Sequence, residues 1–157
     1  MTETPAAPAP IQIGVSAQYI KDFSFESPAA PQIFAAPQPA QPEMNMGVNV
    51  HTRPLAENTH EVLLVLRLEA KLAGKTAFIA ELSYGGVFVL PPLPEEHLKP
   101  FLLIECPRIL FPFARSILSN AVREGGFPQV LINPIDFGAL YQANKNHVGM
   151  MPSQGAA

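Results

Sequence analysis

At 157 residues the chain has room for one compact domain, and 10 Lys+Arg against 13 Asp+Glu leave a formal charge of -3, which argues against a phosphate-binding surface and hence against nucleic acid as the main partner. Only 15% of residues are charged, against about 25% in ordinary soluble domains, while 48% are hydrophobic, so a monomer would be short of charge for its surface. The composition predicts a homo-oligomer, an apolar patch kept exposed for binding, or both.

No run approaches the ~20 apolar residues that cross a bilayer, so no direct membrane insertion is expected. The opening MTETPAAPAP lacks the basic and apolar regions of a signal peptide, and the single Cys106 excludes an intrachain disulfide. Both fit a reducing cytoplasm. Residues 1–10, with Pro5, Pro8 and Pro10, are expected to form a disordered tail before a domain spanning 11–145, and 146–157 a flexible C-terminal one.

Ile11 to Glu26 reads as a first strand, closing in KDFSFE with Phe23 and Phe25 on one face and Asp22, Ser24 and Glu26 on the other. A second proline cluster, SPAAPQIFAAPQPAQPE, follows as either a linker or a functional crossover loop, and its Ile33 and Phe34 are unusual for a spacer. MNMGVNV sets Met44, Met46, Val48 and Val50 on one side of a second strand. HEVLLVLRLEAKL alternates as a third, and Ala73-Gly74-Lys75 turns the chain into a fourth, TAFIAELSY, with Ala80, Leu82 and Tyr84 opposite Ile79 and Glu81. Gly85-Gly86 suggests a bulge or bend there.

From Glu95 a helical pattern runs to about Glu124, kinked near Pro107 and Pro112 and stopped by Gly125-Gly126. Asp136 is placed to cap a last short helix, FGALYQANK. Four strands followed by helices predict an α+β fold, an antiparallel sheet with a long kinked helix and a short C-terminal helix packed on one face.

Catalytic signals are sparse. His51, His60, His97 and His147 have no metal-ligand or acid/base spacing, and no metal or cofactor is expected. Asp136-Phe137-Gly138 matches a kinase tripeptide without the glycine loop, lysine or catalytic loop that must accompany it. Cys106, beside Pro107 in an apolar helix, reads as a buried small hydrophobe. Two surfaces remain. One gathers Asp22, Glu26 and Glu81 around Ile79, which composition alone reads sooner as an ordinary solvated sheet face than as a binding site, and the other combines Phe34 of the crossover loop with Met44, Met46, Phe137, Leu140 and Tyr141, adaptable contacts for unlike apolar side chains or else ordinary core.

KDFSFESPAAPQIF, TAFIAELSYGGVF and CPRILFPFARSILSNAVREGGFPQVLINPIDFGALY, in that order, resemble the SecB family of bacterial protein-export chaperones from about Ile11 to Tyr141. The resemblance implies a cytosolic homotetramer, a dimer of dimers, that holds unfolded preproteins and delivers them to the motor SecA without ATP. It implies docking of SecA at Asp22, Glu26, Ile79 and Glu81, a client groove on the second surface, and sensitivity of the tetramer to Ala80, Leu82 and Tyr84. The chain departs from that family in having no tryptophan in the crossover loop, methionines at 44 and 46, and a tail, GMMPSQGAA, without acidic residues. A small hot-dog-like thioester hydrolase is the alternative from another class, and it would have to work from Glu105 beside Cys106.

Overall fold

The computed structural model describes residues 12–35 and 41–147, so the expected N-terminal tail and residues 148–157 lie outside the described residues. Strands β1 (Gly14–Glu26), β2 (Glu43–Ala56), β3 (Thr59–Leu72) and β4 (Lys75–Val89) form one antiparallel sheet in the order β1-β4-β3-β2. Period-two alternation builds the core: Val62, Leu64, Leu66, Leu68 and Ala70 of β3 lie on one face with Phe78, Ala80 and Leu82 of β4, all buried. Leu110, Ala114, Leu118 and Val122, four residues apart on the long helix, close over them. Each fully buried leucine or phenylalanine contributes about 1.5–3 kcal/mol, and this layer anchors everything described below.

The turn between β3 and β4 is the tight one expected, with Ala73 at φ 50 and Gly74 at φ 80, the double left-handed geometry that matches strand twist. β2 runs further than its methionine stretch suggests, through Arg53 and Pro54 to Ala56, and turns at Asn58 with φ 58. Proline is tolerated there because β2 is an edge strand.

The expected bend at Gly85-Gly86 is absent, since β4 passes straight through. Both glycines answer to close approach instead. A Cβ on Gly85 would lie 2.8 Å from the Tyr19 ring on the outer face, and one on Gly86 3.0 Å from Leu110 of the helix. Against β1 the register shifts between Val15 and Ala17 and between Ile20 and Asp22, and against β3 once, between Ala70 and Lys71.

The helical stretch comprises α1 (Glu95–Pro100), a π turn (Phe101–Glu105) and α2 (Cys106–Glu124). Within the π turn the Cys106 N–H donates to the Phe101 carbonyl, five residues back. Pro107 has no N–H and its ring crowds the carbonyl four residues before it, a conflict the wider turn relieves, whereas Pro112 sits inside α2. Gly125 ends α2 where a Cβ would meet Phe25 at 2.4 Å, and Gly126 follows at φ +94. After an extended passage, α3 (Phe137–His147) starts on the expected cap, the Ala139 N–H donating to Asp136 Oδ1 at 2.9 Å. Its main neighbour is the π turn, and its Phe137 packs edge-on against Phe111 of α2.

Cys106 is fully buried, and burial, with a smaller push from Glu105, raises its thiol to about 12. An alkylating reagent should therefore leave Cys106 unmodified in the native protein and label it fully in urea, read by intact mass. Rapid native labelling would contradict the placement.

Candidate functional site

The outer sheet face, turned away from α2, carries the predicted acidic group. Cross-strand register aligns it in rows: Glu26, Ile79, Glu69 and Asn45 in one, Ser24, Glu81, Arg67 and Gly47 in the next, then Asp22, Ser83, Val65 and Asn49. Asp22, Glu26, Ile79 and Glu81 thus share one face, with β1 and β4 about 4.8 Å apart. Asp22 and Glu26 are exposed and form no ion pair with any described residue. Glu81 differs: Arg67 Nε lies 3.0 Å from its Oε1, while Arg67 Nη1 holds Glu69 Oε2 at 2.9 Å. Half-buried Leu63, Val65, Ile79 and Val87 give the same face an apolar strip between its charges.

At the far end of this face lies a cluster not foreseen from the sequence. Glu61, the one buried charged residue described, accepts hydrogen bonds from the Tyr19 hydroxyl and from Lys21 Nζ at 3.0 and 3.1 Å, with Arg53 at 3.4 Å. Tyr19 and Lys21 of β1 reach Glu61 on β3 across Gly85 of β4, which offers no side chain to block them. The Tyr19 bond, then Lys21 and Arg53, hold the Glu61 carboxyl below its ordinary value although burial opposes them. Burial first, then Glu61, pushes the Tyr19 hydroxyl up to about 12, so it remains a donor.

A depressed carboxyl pKa adds stability above the unfolded value that is lost as pH falls through the folded one. Glu61→Gln should therefore be less stable than the parent at neutral pH, and the gap should close on acidification below about pH 4. Urea midpoints at the two pH values check this; an equal gap at both would show that Glu61 is not ionised in the fold.

The helix-facing side is unlike the outer one. Ala80, Leu82 and Tyr84 are buried within the single chain, Tyr84 donating its hydroxyl to Gln18 Oε1 at 3.2 Å and stacking on Phe113 at 6.3 Å. They pair across to Phe25, Phe23 and Ile20 of β1; Phe25 lies against Gly125 at the end of α2, whereas the rest of that strand is left largely open by α2, which lies over β3 and β4. Val15, Ile20 and Phe23 are consequently exposed there, beside Phe113 of α2.

The six groove candidates separate. Phe137 is 1% exposed and packs edge-on against Phe111, so its ring is core and is not offered to a ligand. Phe34 is exposed at the end of an aromatic ladder, 5.1 Å from Phe127, which lies 5.0 Å from Phe78, itself 5.7 Å from Phe25. Met44 and Met46, half-buried, stand on β2 opposite Ala70 and Leu68, and Leu140 and Tyr141 are half-buried on α3. The π turn adjoins both β2 and α3. Beside it, Leu93, Pro100, Phe101 and Ile104 line a shallow apolar hollow of about 460 Å³ that composition gave no means of locating.

Reactive chemistry has little to work with among the described residues. No group of three or more His, Cys, Asp or Glu is placed to hold a metal, and no helix is long and apolar enough to cross a membrane. Glu105 is engaged by Arg108 at 3.0 Å, and its neighbour Cys106 is buried with a raised pKa.

The fold defines a class, an open antiparallel sheet backed by one long helix with acidic groups on one face and uncovered apolar groups on the other. Residues 6–148 match the family described as preprotein translocase subunit SecB. Curated relatives named protein-export protein SecB include one from Azorhizobium caulinodans, 54% identical over 83% of this chain and 81% of its own, and one from Bradyrhizobium sp., 51% identical over 89% and 86%. A solved Mycobacterium tuberculosis SecB-like chaperone, in complex with a ChAD peptide from an antitoxin, superposes with a TM-score of 0.65 over 78% of this chain and 90% of that one, at 11% identity. The chain belongs to the SecB family and is a protein-export chaperone.

Proposed function

We propose that the protein is an ATP-independent, cytoplasmic holdase that keeps preproteins unfolded and hands them to SecA, working as a homotetramer and catalysing no reaction. The observation that carries this reading is the separation of surfaces. Asp22 and Glu26 stand unpaired on the outer sheet face with Ile79 between strands, suited to a basic segment bearing an apolar residue. Clients, in contrast, need adaptable apolar contacts, which Met44, Met46, Leu140, Tyr141 and the exposed Phe34 supply. The cost of ordering an unfolded chain is offset by many weak contacts, so selectivity for client sequence is low.

Two titrations on the same preparation test the division. SecA affinity should fall as salt rises, because it depends on screened surface charge, while client affinity should hold, because water release drives it. Equal salt sensitivity of both would contradict the separation.

Assembly uses the uncovered side of β1. Ala80, Leu82 and Tyr84 act on it from the side, as cross-strand neighbours of Phe25, Phe23 and Ile20, and Phe113 supplies direct contact. Phe113→Asp should accordingly lower the mass seen by light scattering from four chains toward two or one without loss of helical circular dichroism, since an unpaired charge in an apolar interface is strongly unfavourable. An unchanged tetramer would move the interface elsewhere.

A further inference from the structure

We infer that Arg67 is a specificity-determining residue of the acidic face, the resident counterion that a basic partner must displace from Glu81. This rests on the reading of that face as the SecA surface and goes beyond it by assigning a residue that opposes docking.

Arg67 lies on β3 directly across from Glu81, and its guanidinium bridges two carboxylates, Nε to Glu81 Oε1 at 3.0 Å and Nη1 to Glu69 Oε2 at 2.9 Å. Its two acceptors are unequal. The Glu81 side chain is 52% exposed, whereas that of Glu69 is 19% exposed. Glu81 is therefore the carboxylate an incoming ammonium or guanidinium reaches, and Glu69 the one that keeps Arg67 partnered after Glu81 is taken.

The face is thus not a uniform acidic patch. Asp22 and Glu26 attract without local opposition, while at Glu81 a basic group has to exchange with a cation already in place. A partner that cannot contact Asp22 and Glu26 together with Glu81 gains little at Glu81 alone, because it replaces one exposed pair by another. Arg67 in this way restricts docking to segments long enough to engage the β1 carboxylates as well, and limits capture of stray basic peptides.

The test is a double-mutant cycle on the intact tetramer with purified SecA, comparing the parent, Arg67→Gln, Glu81→Gln and the double variant by titration calorimetry. Arg67→Gln should bind SecA about fivefold more tightly, an effect opposite in sign to that of damage to the fold, and the gain should shrink at high salt. In the Glu81→Gln background the same replacement should change affinity by less than about twofold, because the contested carboxylate is gone. Equal or weaker binding by Arg67→Gln overturns the inference while leaving the acidic-face reading standing. A full gain in the Glu81→Gln background overturns it too, reducing Arg67 to bulk charge. If neither parent nor Arg67→Gln binds SecA, the acidic-face reading and the role of Arg67 fall together. Client titration run alongside should be unchanged in all four proteins.

Discussion

Replacing both Asp22 and Glu26 by lysine is expected to weaken SecA binding about a hundredfold while leaving the oligomer and client binding intact. Both side chains are exposed and unpaired, so reversal breaks no internal contact and leaves no buried group without a partner. They stand two rows apart on one edge strand, where two new cations would meet a basic partner head-on. Glu81 is the less informative target for reversal, because Glu81→Lys would also set a second cation against Arg67. Calorimetric titration with SecA and with an unfolded client, after confirming mass, measures the effect. Retained SecA affinity would remove the outer face from the account.

The largest effect on stability is expected from Phe78→Ala, at about 4 kcal/mol, or roughly 10 °C in melting temperature. Phe78 is 2% exposed and stands in the middle of the aromatic ladder, between Phe25 of β1 and Phe127 beyond α2, with Phe34 of the crossover loop resting on Phe127. Its loss opens a cavity and removes the support under that loop together. Hydrogen exchange should then rise around 31–35 ahead of global unfolding. A melting temperature within about 2 °C of the parent would show that the ladder contributes little.

The strands and helices were legible because their periods are clean. β3 alternates from Val62 to Ala70, and α2 repeats its apolar residues every four positions up to Gly125-Gly126. What escaped was the consequence of bulges. Counting outward from the turn at Ala73-Gly74 pairs Leu72 with Lys75 and, carried on, would set Arg67 opposite Ala80. The irregularity between Ala70 and Lys71 shifts the register by one and puts Arg67 opposite Glu81.

The same physics hid the Tyr19–Glu61 cluster. Strict alternation backward from Phe23 sends Tyr19 to the helix side, whereas the extra residue between Ile20 and Asp22 turns Tyr19 outward and leaves Ile20 facing inward. A bulge needs no distinctive residue at its own position, so local composition does not announce it. Phe137 misled for a different reason: an apolar residue at the start of a short helix reads alike whether it faces core or ligand, and only the packing against Phe111 decides.

The central claim is that this protein holds unfolded chains without a nucleotide cycle, and aggregation of an unrelated, chemically denatured polypeptide diluted into nucleotide-free buffer tests it most directly. Light scattering should be suppressed as the protein approaches one oligomer per client, and Arg67→Gln and Asp22→Lys/Glu26→Lys should suppress it as well as the parent. Aggregation that proceeds undiminished in the presence of correctly assembled protein would contradict the account.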